Sequence, residues 1–306
     1  MTYLEIINSS RLNKTAKAKA LFALGYTRRQ VADLVLNGNY GFAQNIFVKY
    51  VEQRITSSLP NSPFNFVFNC TFGIEIEAYG ATRDQVAAAI QREGISVFVE
   101  GYNHTTRNHW KVITDGSIRG ENGFEVVSPV LQGEDGLQQL EKVCRALKSC
   151  NAKINKSCGL HVHLGASDFS IQNWRNIYSN YAALESQIDK FMPESRRANN
   201  NNYCRSITQK VQETNLNECR TLAAIQSKIT SGGRYFKLNT QSYAVHGTLE
   251  FRQHSGTIEF EKISNWVLFT AQLVEFIKNV GRTENFNDFC TTEVQTYYTQ
   301  RTAALA

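Results

Sequence analysis

Apolar and polar residues alternate strictly along several short segments of the chain, and this period-2 pattern predicts strands with one packed face and one polar face. In residues 72–77, three apolar side chains take one face and two glutamates take the other. Residues 160–164 and 249–252 repeat the alternation with histidine, glutamate or arginine on the polar face. Strands are predicted near residues 65–78, 95–100, 109–114, 123–128, 159–165, 235–238 and 247–254.

Longer segments carry apolar residues at intervals of three and four, which is the spacing of one helix face. They predict helices near residues 82–92, 134–149, 170–191, 216–229 and 259–279. Strict alternation indicates antiparallel sheets with one packed face, whereas strands of parallel sheets are apolar on both faces. The predicted class is therefore α+β and not parallel α/β.

The first sixty residues predict three short helices, at 13–24, 27–36 and 40–54, separated by tight turns. Thr27 and Gln30 have the spacing of a capping box at the start of the second helix. This is a helix-turn-helix layout. A Ser/Pro-rich stretch follows and predicts a linker. The predicted domains are a helical module over 1–56, a linker over 57–65 and a large domain over 66–306.

The composition is that of a globular protein, with 42% hydrophobic and 20% charged residues. No apolar run is long enough to cross a bilayer, and the N-terminus lacks the layout of a secretory signal, so we expect a cytoplasmic protein with no membrane role. The seven cysteines include no Cys-x-x-Cys pair. Neither a disulfide framework nor a zinc knuckle is indicated.

The charge is concentrated at the N-terminus, where residues 1–60 hold eight Lys/Arg and three acids. Residues 19–34 resemble the first two helices of DNA-binding helix-turn-helix modules. By that resemblance Tyr40, Gln44, Asn45 and Lys49 would lie on the helix that enters a groove. A helical docking module with a basic, solvated face explains the same pattern, because this charge is modest for phosphate neutralisation. The partner of this module, nucleic acid or protein, stays open.

Glu75 and Glu77 share the polar face of one predicted strand, roughly 6.5–7 Å apart. Two carboxylates this close need either a cation between them or a raised pKa on one of them. A Mg²⁺ or Mn²⁺ site accounts for them. A solvated strand face accounts for them as well.

Glu125 stands alone in an otherwise apolar strand, where a glutamate commonly faces the sheet edge. His161 and His163 share one face of another strand, and such a pair serves either as metal or phosphate ligands or as ordinary hydrogen-bonded residues. The glycines that bracket the pair indicate close approach of a ligand.

Glu250, Arg252 and His254 alternate along the last predicted strand. A carboxylate, a guanidinium and an imidazole on one face suit a metal-bound phosphate. An intrastrand ion pair between the first two is the other explanation. Across the strands, oxygen-rich ligands with imidazoles and no thiolate favour Mg²⁺ or Mn²⁺ over structural zinc.

The order of these motifs resembles the putative amidoligase family, which belongs to the glutamine synthetase and glutamate-cysteine ligase superfamily. The resemblance covers about residues 66–275. The motifs are Phe-Gly-Ile-Glu-Ile-Glu (72–77), Trp110 followed by Asp-Gly-Ser (115–117), Glu-Val-Val-Ser-Pro (125–129), Cys-Gly-Leu-His-Val-His (158–163), Pro-Glu-Ser-Arg-Arg (193–197) followed by Tyr-Cys (203–204), and Leu-Glu-Phe-Arg (249–252).

The resemblance implies a role for each motif residue. The implied metal ligands are Glu75, Glu77, Glu125, His161 and Glu250. Arg252 would stabilise the transferring phosphoryl group, and His163 would lie near the nucleotide phosphates. The other implied site residues are Asp115, Arg196 and Arg197 as further acidic and anion-binding groups. Lys237, as a nucleotide-binding residue, and Asn239 are further candidates for the pocket.

The predicted fold of the large domain is accordingly a glutamine synthetase-like curved antiparallel sheet with helices on its outer face. The implied activity is ATP-dependent joining of a carboxylate to an amine through an acyl phosphate, with ATP and Mg²⁺ or Mn²⁺ as cofactors and amino acids or peptides as substrates. Two alternatives remain: a metal-dependent hydrolase using the same ligands, and a nucleic-acid-binding protein with an inactive ligase-like domain. The resemblance also leaves a homo-oligomer open, because neighbouring subunits complete the site in some members of the superfamily.

Overall fold

A computed structural model of the chain describes residues 3–24, 26–47, 49, 64 and 66–305. The chain divides into two compact units, Met1–Asn65 and Phe66–Ala306. The predicted linker, 57–65, lies outside the described residues except for Phe64.

The N-terminal unit is helical, and short turns separate its helices. The helices are α1 (Tyr3–Asn8), α2 (Lys14–Ala23), α3 (Arg28–Val35) and α4 (residues 40–47). Thr27 and Gln30 form the predicted capping box. Tyr40 is buried, so it does not lie on an exposed surface of α4 as predicted. Gln44 is half-buried and accepts a hydrogen bond from Arg28.

The large unit is built on an eight-stranded sheet with the order β2-β3-β4-β1-β6-β8-β7, and β5 pairs with β1. The strands are β1 (Thr71–Ala78), β2 (Val97–Val99), β3 (Trp110–Thr114), β4 (Phe124–Val127), β5 (Leu131–Gln132), β6 (Leu160–Gly165), β7 (Leu238–Asn239) and β8 (Thr248–Phe251). Among the described strands only β2 and β3 run parallel. Residues 100–109 form the crossover connection that such a pair requires.

Helices cover the apolar face of the sheet. Phe251 on β8 contacts the ring of Tyr181 on one helix and the ring of Trp266 on another, with centroid distances of 5.8 and 6.4 Å. The helices of this unit are α5 (Arg83–Arg92), α6 (Gly133–Ser149), α7 (Ile171–Lys190), α8 (Thr208–Gln212), α9 (Leu222–Thr230), α10 (Ser242–His246), α11 (Phe260–Asn279) and α12 (Thr292–Leu305). The mixed α+β class is confirmed.

The differences from the predicted elements have local causes. The helix expected at 216–229 is split, because a 3-10 turn ends at Glu218 and the side chain of Thr221 caps the start of α9. Helix α12 was not predicted, since only Val294 and Tyr298 are buried in it and two residues do not make an apolar stripe. In the described part of the chain, no helix has the length and apolar character needed to cross a membrane.

Candidate active site

Six ionisable side chains lie on the sheet face opposite the helices, on four adjacent strands. Their positions follow from strand register, which pairs Glu75 with His161, Glu77 with Glu125 and His163 with Glu250. Side chains directly opposite each other on neighbouring strands lie close enough to interact. We call these six residues, Glu75, Glu77, Glu125, His161, His163 and Glu250, the cavity cluster.

Short contacts join the members of the cavity cluster. The Nδ1 atom of His161 lies 2.8 Å from Glu75 Oε2, and its Nε2 atom lies 3.6 Å from Glu77 Oε1. The Nε2 atom of His163 lies 3.4 Å from Glu75 Oε1. One ligand atom each from Glu75, Glu125 and His161 fall within 4.8 Å of one another, and the same holds for Glu75, His163 and Glu250. Glu75 belongs to both groups.

The pKa values of the carboxyl groups in the cluster shift in different directions. Burial alone would raise the pKa of Glu75, but the neighbouring imidazoles of His161 and His163 outweigh it and hold this pKa well below the usual range. Burial and the charges of Glu75 and Glu77 raise the pKa of Glu125 well above its usual range. For Glu250, burial is outweighed by the neighbouring Arg252 guanidinium, which lowers the pKa. The repulsion that Glu125 meets from Glu75 and Glu77 is what a bound cation would relieve.

These residues fit a divalent cation. The donors are carboxylate oxygens and imidazole nitrogens without a thiolate, the set that suits Mg²⁺ or Mn²⁺. Among the described residues, the buried Nε2 atom of His163 has no hydrogen-bond partner although it faces Glu75. The structure thus adds His163, expected near phosphates, to the residues able to hold a metal.

Two arginines border the cavity cluster. Arg252 Nη1 lies 2.5 Å from Glu250 Oε1, and its Nε donates to the carbonyl oxygen of Tyr203 at 3.4 Å. Arg196 is only 3% exposed; its Nη2 donates to the carbonyl oxygen of Cys158, and its Nε has no partner among the described residues. Both arginines line the cavity and are placed to meet an anionic ligand.

Gly159 allows the side chains around it to converge. Its N–H donates to Glu77 Oε2 at 2.6 Å. A Cβ at this position would lie 3.0 Å from His161 Nε2 and 3.5 Å from Arg196 Nη1. The glycine that precedes the two histidines therefore serves close approach of side chains, where the sequence had indicated approach of a ligand.

The cavity above the cluster has a volume of about 260 Å³. Asp115 lines it, as predicted, and its Oδ1 accepts from the N–H of Ser117 at 2.7 Å. Several lining residues were not among the predicted site residues, although Tyr203 stands in a family motif and Tyr235 in a predicted strand. These are Tyr102, His104, Thr106, Tyr203, Arg234, Tyr235 and His246.

Two predicted ligand-binding residues do not reach the cavity. The Nζ atom of Lys237 is fully buried and lies 2.8 Å from Glu185 Oε1 and 2.8 Å from Asp189 Oδ1. The Nε atom of Arg197 donates to the carbonyl oxygen of Met192 at 2.8 Å. Neither side chain lines the cavity, so their positions give no support to the nucleotide-binding role expected for them.

His254 and Asn239, which belong to the last two sequence motifs, also differ from expectation. Strand β8 ends at Phe251, so His254 does not share the polar face; it packs on Trp266, and burial lowers its pKa to about 3. Asn239 lies beside the cluster, since its Nδ2 donates to Glu250 Oε2. It orients a predicted metal ligand and does not line the cavity.

A family model described as "Putative amidoligase enzyme" matches residues 69–274. The match includes every residue of the cavity cluster and both bordering arginines. The family resemblance inferred from the motifs is confirmed. No curated protein matches the chain.

Proposed function

This chain belongs to the putative amidoligase family, and from that membership we propose that it is an ATP-dependent carboxylate-amine ligase. One observation supports this above the others: four glutamates and two histidines converge on one sheet face, with the Arg252 guanidinium 2.5 Å from Glu250. Carboxylates that hold metals next to a guanidinium are the recurring components of phosphoryl-transfer sites. The eight-stranded, mostly antiparallel sheet with helices on one face is compatible with a glutamine synthetase-like domain.

The proposed reaction has two steps. An oxygen of the substrate carboxylate attacks the γ-phosphorus of ATP, the bond from that phosphorus to the β-γ bridging oxygen breaks, and ADP leaves. The amine nitrogen then attacks the carbonyl carbon of the acyl phosphate, inorganic phosphate leaves, and the nitrogen loses a proton. The product is an amide.

The residues that would hold divalent cations are Glu75, Glu125 and His161 in one group and Glu75, His163 and Glu250 in the other. Such cations neutralise charge on the phosphate oxygens. Arg252 would stabilise charge that develops on the transferring phosphoryl group, and Arg196 would bind an anionic oxygen of the acid or of ATP. At the β3 end of the sheet, Asp115 would attract the amine as an ammonium ion, which loses one proton before its nitrogen attacks and a second proton afterwards.

The test is ADP release from ATP and Mg²⁺ with mixtures of amino acids and short peptides. We expect release stimulated by a specific mixture and abolished in Glu75→Gln, because Glu75 belongs to both candidate metal groups. Glu121→Gln is the matched control, since Glu121 is exposed on the connection before Glu125. Peptide hydrolysis that needs no nucleotide, without stimulated ADP release, would instead identify a metal-dependent hydrolase.

A further inference from the structure

Three tyrosines and one arginine gather at the mouth of the cavity. Tyr102, Tyr203 and Tyr235 are 57%, 52% and 37% exposed, and all three line the cavity together with Arg234. We call these four residues the aromatic rim. Large side chains exposed in one cluster beside a concave site indicate a surface that a ligand covers.

A long connection assembles the rim from both ends of the sheet. Residues 100–109, which we call the strap, leave the sheet between β2 and β3 at one end. The strap crosses the polar face, and Thr106 Oγ1 lies 3.1 Å from Nδ1 of His246, beside β8. Tyr102 of the strap interacts with the side chain of Arg234, which precedes β7 at the other end.

The strap is held in place at its base, so the rim is preformed. The buried Nζ atom of Lys111 donates to the carbonyl oxygens of Asn103 and Thr105 at 3.1 and 2.9 Å. Glu100 accepts from both Nε and Nη2 of Arg107. A preformed binding surface loses less conformational entropy when a ligand binds.

The rim joins the side of the cavity that holds Arg252. The carbonyl oxygen of Tyr203 accepts from Nε of Arg252, the residue assigned to the phosphoryl group. Arg234 stacks 5.2 Å from the centroid of Tyr235, and among the described residues it forms no ion pair with a carboxylate. Glu250, which contacts Arg252, belongs to a candidate metal group, and the cation held there would also meet the phosphates. A ligand with phosphates at Arg252 therefore directs its remaining part toward the rim.

We propose that the aromatic rim binds the purine base of ATP. The inference rests on the proposed ligase function, because it takes ATP as the ligand whose phosphates bind beside Arg252. A planar base stacks on phenol rings, and a guanidinium donates hydrogen bonds to ring nitrogens. The tyrosine rings supply the stacking surface, and Arg234 supplies the donors.

The experiment compares ATP with inorganic tripolyphosphate, which carries the phosphates without the base. Dissociation constants of both are measured by titration calorimetry with Mg²⁺ for the full chain and for Tyr235→Leu and Tyr203→Leu. Each substitution is expected to weaken ATP binding about tenfold, the usual size of one base-stacking contact, and to leave tripolyphosphate binding unchanged. Tyr297→Leu on α12, outside the cavity lining, is the matched control and should change neither constant.

Two results would overturn the rim assignment, and they differ from each other. ATP binding that is equally tight in the wild type and both rim variants would leave the ligase proposal intact and assign the rim to another ligand. If the wild type binds neither ATP nor tripolyphosphate, the nucleotide-dependent function fails together with the rim. Because all three tyrosines are partly exposed, circular dichroism is expected to show folded variants in either case.

Discussion

Two groups of ionisable side chains in the large unit differ in how fully their polar atoms are partnered. In the group around Lys237, the ammonium contacts both Glu185 and Asp189, and Gln253 donates to Asp189 as well. The remaining oxygens also accept hydrogen bonds, Glu185 Oε2 from Thr208 Oγ1 at 2.9 Å and Asp189 Oδ2 from a backbone N–H. In the cavity cluster, Nε2 of His163 has no partner among the described residues, and the charges of Glu75 and Glu77 help to raise the pKa of Glu125. We infer that the fully partnered group around Lys237 serves structure and that the cavity cluster serves binding.

The largest expected effect on stability belongs to the group around Lys237. Lys237→Met removes the cation and leaves the buried carboxylate of Glu185 and the half-buried carboxylate of Asp189 without it. Breaking a buried ion pair in this way should lower the free energy of unfolding by about 3–5 kcal/mol. Urea denaturation measures the change. The matched control is Lys228→Met, whose partially exposed partner Glu218 lies at 3.7 Å, and it should change the free energy by less than about 0.5 kcal/mol. Equal effects for the two lysines would refute the distinction.

Lys237 also shows where sequence reasoning loses accuracy. Alternation over 235–238 predicted a strand that carries Lys237 toward the cavity, but β7 begins only at Leu238. Outside a strand, the direction of a long side chain depends on the elements around it, and here α7 offers two carboxylates. Nothing in the local pattern of residues indicates a helix that lies about fifty positions earlier in the chain.

The strand-borne part of the site was predictable for a physical reason. A period of two fixes the face on which Glu75, His161 and Glu250 stand once their segments are strands. The order of the strands, which brings β6 between β1 and β8, does not follow from alternation. It became an expectation only through the order of the family motifs.

The strap and the rim could not be predicted. Most of their residues lie in connections, where neither period-2 nor helical spacing constrains the side chains. Tyr235 was placed in a predicted strand and Tyr203 stands in a family motif, but neither placement shows that their rings meet Tyr102 at the cavity. Tyr102 and Tyr235 are brought together by a connection that crosses the sheet, and such a long-range contact leaves no mark in either local segment. The loop that carries Arg196 is an exception, because its motif belongs to the family pattern.

The second prediction concerns Arg252, the guanidinium that contacts the cavity cluster. Arg252→Ala should lower kcat roughly 10²–10³-fold, the usual loss when a group that stabilises developing charge is removed. The KM for ATP should rise much less, because the interaction is expected to be strongest in the transition state. Steady-state ADP release measures both constants, and Arg92→Ala on the exposed end of α5 is the control. A loss of kcat/KM carried wholly by KM would make Arg252 a ground-state binding residue.

The smallest expected effect has the opposite sign from that of Lys237→Met and comes from Glu125. Burial and the charges of Glu75 and Glu77 disfavour its ionised form, so a neutral side chain of the same shape relieves repulsion. In metal-free buffer, Glu125→Gln should raise the free energy of unfolding by about 1 kcal/mol. Added Mg²⁺ should stabilise the wild type and Glu121→Gln more than Glu125→Gln, because a cation that binds only the folded state stabilises it by mass action. Thermal unfolding with EDTA and with Mg²⁺ measures both changes. If Glu125→Gln destabilises the metal-free protein as strongly as Lys237→Met does, the carboxyl group of Glu125 has a stabilising partner within the protein. The contrast between the group around Lys237 and the cavity cluster then does not hold.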